Sequence, residues 1–149
     1  MKRILSLIFI GTAVLFSSCT SDAPQPRKAS VTATIDGVHV VFNTININQH
    51  TYIENDVAYT DLRVTASINN SMDETISFVV EENILGPNAS WYFAYFLNQT
   101  AFPKMPDFAV DVTDNTGHHL EGTFSGKVQA DDETAQIIDI ENGVFDIIY

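Results

Sequence analysis

The sequence predicts an all-β protein, an antiparallel β-sandwich or partly open β-barrel in a single domain. Three observations lead there. Apolar and polar residues alternate along several short segments, the period-two signature of strands with one buried and one solvated face. Turn-forming residues separate those segments at short intervals. No window of about eleven residues carries a convincing helical stripe. The ordered domain is expected over residues 31–149.

Val31, Ala33 and Ile35 alternate with Thr32 and Thr34. Asp36-Gly37 then supplies a two-residue turn, because both residues readily take positive φ. The return strand carries Val38, Val40 and Phe42. Leu62, Val64, Ala66 and Ile68 point one way, and Asp61, Arg63, Thr65 and Ser67 the other. A polar loop is expected over residues 69–74, ahead of Ile76, Phe78 and Val80. Leu85-Gly86-Pro87-Asn88 is the next turn, and the aromatic run Trp91-Tyr92-Phe93-Ala94-Tyr95-Phe96 follows it. Phe108, Val110 and Val112 mark a further strand, closed by a turn at Asn115-Thr116-Gly117.

The cleanest alternation is Leu120, Gly122, Phe124, Gly126 and Val128, with Glu121, Thr123, Ser125 and Lys127 opposite. Gly122 and Gly126 flank Phe124 on its own face, so they are expected to make room for large side chains across the core. Asp131-Asp132-Glu133 is a loop run. Asn142-Gly143 admits two structures. As a hairpin turn it would set Asp139 opposite Asp146, and like charges directly opposite destabilise a ladder. A β-bulge or a bend into another sheet avoids that contact and is the expected form.

The N-terminus is organised differently. Lys2 and Arg3 precede an apolar run over residues 4–16, and the small pair Ser17-Ser18 runs into Cys19. The apolar run is shorter than the roughly twenty residues a membrane span needs. The order of charge, apolar stretch and small residues is that of an export signal. Ending in cysteine, it resembles the lipobox of bacterial lipoproteins, with Phe16 where Leu is commoner. The expected divisions are a signal peptide over residues 1–18, a tether over 19–30 and the β domain over 31–149. The resemblance implies that Cys19 carries diacylglycerol and is the membrane attachment. Two or three acyl chains make such attachment nearly permanent. Pro24 and Pro26 keep the tether extended. Asp22 is its only acid, ahead of Arg27 and Lys28, so the periplasmic and cell-surface sides of an outer membrane both stay open.

Composition narrows function by exclusion. Seven Lys and Arg stand against nineteen Asp and Glu, a net charge of −12. Two of those bases lie in the signal, and only Arg63, Lys104 and Lys127 lie beyond residue 30. Phosphate affinity comes from Lys and Arg, so nucleic acid is not an expected partner. Cys19 is the single cysteine, so no internal disulfide is expected, and the lipidation that the resemblance implies would consume its thiol and leave no thiol chemistry. No Gly-x-Ser-x-Gly elbow, His-Glu-x-x-His or phosphate loop occurs. The expectation is a non-catalytic chain that calls for no cofactor.

Gly122-Thr123-Phe124-Ser125-Gly126 and Ile140-Glu141-Asn142-Gly143-Val144-Phe145 look like segments of small uncharacterised envelope lipoproteins of Bacteroidetes bacteria. Ala33-Thr34-Ile35-Asp36-Gly37 is similar to their first strand. Val41 and Phe42 stand in the stretch where many of those proteins have Trp. The resemblance implies an all-β envelope lipoprotein and brings no activity or catalytic residues with it.

Three clusters are candidate sites. The aromatic run reads two ways, of which the first is the expected one. As a strand apolar on both faces it belongs in the core, which would bury Trp91. As a stacking platform for sugar rings it would present Trp91, Tyr92 and Tyr95. Asp107, Asp111 and Asp114 lie close enough in sequence to suggest a calcium site, although the alternating Asp/Asn calcium loop is absent. His118-His119 would point to opposite faces of a strand, a poor chelating pair. The expected function is a lipid-anchored envelope module that binds a protein or a glycan. The alternative is a β-barrel carrier of a small apolar ligand, since barrels of about eight strands hold one such molecule.

Overall fold

A repeated two-residue turn sets the architecture. Asp36-Gly37, Asn55-Asp56, Asn69-Asn70, Asn98-Gln99 and Gly117-His118 each place both central residues at positive φ. That geometry follows the right-handed twist of the flanking strands, and Gly, Asn and Asp reach it most readily. The computed structural model describes residues 29–149 apart from Asn88. The expectations for the signal, for Cys19 and for most of the tether lie outside the described residues.

The strands are β1 (Ser30–Ile35), β2 (Val38–Phe42), β3 (Thr44–Glu54), β4 (Val57–Ile68), β5 (Ser71–Glu81), β6 (Ser90–Leu97), β7 (Thr100–Pro103), β8 (Ala109–Thr116), β9 (His119–Gln129) and β10 (Ile137–Ile148). They form two five-stranded sheets, in the orders β2-β1-β10-β9-β8 and β3-β4-β5-β6-β7. Every pairing is antiparallel. The two sheets pack face to face as a β-sandwich and do not close into a barrel. The closed-barrel carrier therefore has no barrel in which to hold its ligand. Aromatic side chains fill the space between the sheets instead.

The alternation read from the sequence places the core correctly. Val31, Ala33, Leu62, Val64, Ala66, Ile76, Phe78, Val80, Val110, Val112, Leu120, Phe124 and Val128 are all buried. Phenylalanines from both sheets meet at the centre. Phe93 lies 5.1 Å from Phe124 and 4.3 Å from Phe108 between ring centroids, and Phe78 lies 5.0 Å from Phe145. Burying each such ring is worth roughly 1.5–3 kcal/mol. The glycines make this packing possible. A Cβ on Gly122 would collide with the Phe145 ring, and one on Gly126 with Phe108. Gly143 does the same for Phe124.

Asn142-Gly143 is a bulge and not a turn, as the charge argument required. The β10 register shifts between Ile140 and Gly143, leaving Glu141 and Asn142 together opposite the single residue Ser125. Asn142 takes the left-handed conformation at φ 51°. Asp139 consequently faces Lys127, and Asp146 faces Glu121.

Three boundaries differ from the sequence reading. The loop over residues 69–74 shrinks to Asn69-Asn70, because two left-handed asparagines complete the reversal and β5 starts at Ser71. The turn expected at Asn115-Thr116-Gly117 moves to Gly117-His118, since Asn115 and Thr116 still pair with Leu120 and His119. β3 was not anticipated at all. Its alternation of Ile45 and Ile47 with asparagines is short, and its length comes from unbroken pairing with β4 from Thr44 to Glu54.

Candidate aromatic site on the outer sheet face

The outer face of the β3–β7 sheet carries the chemistry. Leu62, Val64 and Ala66 of β4 point into the core, so Asp61 and Arg63 point outward. Register extends this row across the sheet: His50 of β3 faces Asp61, and Asp61 faces Glu81 of β5. One row further out, Tyr52 faces Tyr59 with the rings stacked at 5.6 Å. His50 stacks on Tyr52 at 6.1 Å.

Trp91 joins this surface through a bulge. The register shifts from Val79 opposite Tyr92 to Val80 opposite Ser90, which leaves Trp91 as the extra residue of β6. Simple alternation would have set Trp91 in the core beside Phe93 and Tyr95. Ser90 takes the buried position opposite Val80 instead, and Trp91 is 57% exposed. The core expectation for Trp91 is thus corrected, because a bulge inverts the facing of the residue it inserts. The indole Nε1 donates to Asp61 Oδ1 at 3.4 Å. Tyr92, half-buried, lies beside it with ring centroids 6.2 Å apart.

Asp61 is only 4% exposed, although it stands on an outer face. Among the described residues no Lys, Arg or His nitrogen lies within 4 Å of its carboxylate. It serves to hold the indole edge, while the ring faces solvent. The phenol of Tyr52 is raised above its ordinary 10.0, by desolvation first and then by the carboxylates of Asp61, Glu81 and Glu54. The surface therefore combines open aromatic faces with a negative field. It suits a ligand that offers C–H faces for stacking and hydroxyl or amino groups for donation.

The other sequence candidates fall elsewhere. Tyr95 is buried on the opposite, inner face, and its hydroxyl donates to Glu74 Oε1 at 2.9 Å. It does not share a platform with Trp91 and Tyr92. Asp107 precedes β8, Asp111 is exposed opposite Thr123, and Asp114 turns to His119. Among the described residues no group of three His, Cys, Asp or Glu side chains is placed to hold a metal ion. The sequence reading missed His50, Tyr52, Tyr59 and Asp61 as one surface. The stacking of β3 on β4 brings them together, and the sequence signal was the alternation of His50, Tyr52 and Glu54 in an otherwise uncharged stretch.

A second cluster lies on the outer face of the other sheet. His119 is held between two carboxylates, with Nδ1 2.8 Å from Asp114 Oδ2 and Nε2 2.9 Å from Asp146 Oδ1. The Asp146 and Asp114 carboxylates raise its imidazole above the ordinary 6.5. Hydrogen bonds from Thr116 and His119 lower the Asp114 carboxyl below 3.8. His118, in the turn, packs edge-on against Tyr149 at 5.5 Å. This cluster ties the β8–β9 turn to the end of β10, a structural clamp.

No protein-family model, curated protein or solved structure matches the chain.

Proposed function

We propose that the chain is a lipid-anchored, non-catalytic envelope protein whose β-sandwich binds a glycan on the outer face of the β3–β7 sheet. The observation that carries the reading is Trp91, lifted out of the core by the β6 bulge and held by Asp61 with its ring toward solvent. An indole left exposed at that cost in hydrophobic burial is suited to stacking. Tyr92 of β6, Tyr59 of β4, and Tyr52 and His50 of β3 put further rings on the same sheet face, on three of its strands. The acidic field favours neutral or amino-bearing sugars over acidic polysaccharides. The anchor rests on Lys2-Arg3, the short apolar run and Ser17-Ser18-Cys19. It would hold the module at the outer membrane, on its periplasmic or cell-surface side.

The test is a pull-down of the full chain in detergent with insoluble neutral glucan, chitin and peptidoglycan, alongside Trp91 fluorescence titrations with soluble fragments. Trp91→Ala is expected to weaken binding about tenfold or more, as removal of a central aromatic anchor does. Tyr95→Phe, on the inner face, is expected to bind as the parent does. Equal binding by Trp91→Ala, or retention only by acidic polymers, would overturn the proposal.

A further inference from the structure

The four sheet edges are not equally protected. β7 is four residues long and ends at Pro103, which has no N–H to offer. β8 carries Asp111 and Asp114, has a bulge between Val112 and Asp114, and exchanges backbone hydrogen bonds with Gly86 through Val112. β2 is five residues long. Charges, proline, bulges, covering loops and shortness are the devices that keep an edge from pairing with another strand. Among the described residues β3 has no proline, bulge or covering loop, and its one charge is Glu54 at its very end. The strand runs eleven residues, pairs among the described residues with β4 alone, and its register has no irregularity.

Charge marks the same edge. No Asp, Glu, Lys or Arg occurs over residues 37–53, in a chain whose net charge is −12. Two copies of so acidic a protein repel each other over most of their surface, and β3 itself brings no charged side chain to its edge before Glu54. The exposed apolar residues agree. Ile53 is 76% exposed, on the same face of β3 as Ile45 and Ile47. Those two line a groove of about 540 Å³ together with Asn48, Gln49, His118, Ile148 and Tyr149.

We infer that β3 is a homodimer interface, in which two copies join antiparallel along this edge into one ten-stranded sheet. Centring the two-fold on Gln49 pairs the whole strand. It sets Asn48 opposite the partner's His50, Ile47 opposite the partner's Thr51 and Ile45 opposite the partner's Ile53. The exposed Ile53 of each copy then lies over the groove of the other, and Glu54 meets Thr44, so no like charges face each other. The inference does not depend on what the aromatic surface binds.

Cys19 being the only cysteine, which the proposed lipidation blocks, an added thiol reports contacts cleanly. Gln49→Cys is expected to give a disulfide-linked species of twice the chain mass in isolated membranes. Thr123→Cys, on the exposed outer face of the other sheet, is the control and is expected to give at least about tenfold less, since it lies far from the paired edge. In sedimentation of the detergent-solubilised full chain, Asn48→Lys with His50→Lys is expected to weaken dimerisation about tenfold or more while the circular dichroism of the folded chain is unchanged, because it places lysines opposite each other. The inference is overturned by no more cross-linking at Gln49→Cys than in the control, by cross-linking only to a protein of another mass, or by a parent chain that sediments as a monomer.

Discussion

Asp61 and Trp91 exchange the burial expected of them. The carboxylate is almost wholly buried on an outer sheet face, and the indole that donates to it is more than half exposed. Aromatic rings normally take the interior and carboxylates the solvent. The inversion follows from the bulge in β6 and is the main reason to read this face as a binding surface.

As the only tryptophan, Trp91 gives an unmixed fluorescence signal. Its emission is expected at long wavelength, with free quenching by acrylamide. Iodide is expected to quench less, because the acidic surface repels an anion. Asp61→Ala removes the acceptor and is expected to shift the emission, whereas Asp61→Asn keeps an oxygen in place and is not. Blue-shifted emission protected from acrylamide would return Trp91 to the core.

Phe124 meets Phe93 across the two sheets and is 2% exposed, while Thr123 beside it is exposed. Phe124→Ala is expected to destabilise by about 3–5 kcal/mol, from lost transfer energy and the cavity left behind. Thr123→Ala is expected to stay within about 0.5 kcal/mol. Urea melts of the two variants separate these outcomes, and matching midpoints would show the faces of β9 to be misassigned.

Gly122 lies under the Phe145 ring, and its Cβ would also collide with the Asp111 carbonyl. Backbone cannot move aside as a flexible side chain can. Gly122→Ala is therefore expected to cost about 1–3 kcal/mol or more through overpacking. Calorimetry of this variant beside the parent measures it, and an unchanged melting temperature would contradict the close approach.

The His119 clamp makes stability depend on pH. Its imidazole is raised above 6.5 in the folded chain by Asp146 and Asp114, so its contribution is full below 6.5 and disappears as pH rises through the folded value. The Asp114 carboxyl is lowered below 3.8, so its contribution is present above 3.8 and lost as pH falls through the folded value. The clamp is thus strongest between those limits. Thermal melts of the parent and of His119→Gln are expected to differ most near pH 5–6, within that window, and to converge in mildly alkaline buffer. A difference that grows with rising pH would have the wrong sign.

Attachment is tested at Cys19. Cys19→Ala is expected to abolish labelling by radioactive palmitate, leaving the chain soluble or retained with its signal uncleaved. Equal labelling of the variant would end the lipoprotein reading.

Much of this fold was legible residue by residue. Alternation assigned the inward faces of β1, β4, β5, β8 and β9, because the pleat sends successive side chains to opposite sides whatever the partner strand is. Asp36-Gly37 announced its turn through backbone freedom that is local to two residues. Gly122 and Gly126 announced close packing, and the conflict between Asp139 and Asp146 foretold the bulge at Asn142. The remaining features depend on pairs of strands. Trp91 faces outward because β6 slips by one residue against β5, and a slip belongs to the pairing, not to either strand alone. His50, Tyr52, Tyr59 and Asp61 become one surface only through the register of β3 on β4. His119 finds its second carboxylate on β10, twenty-seven residues away, by the same kind of cross-strand neighbour relation. Facing is written in the order of residues along one strand, whereas neighbourhood is decided only when two strands choose their register.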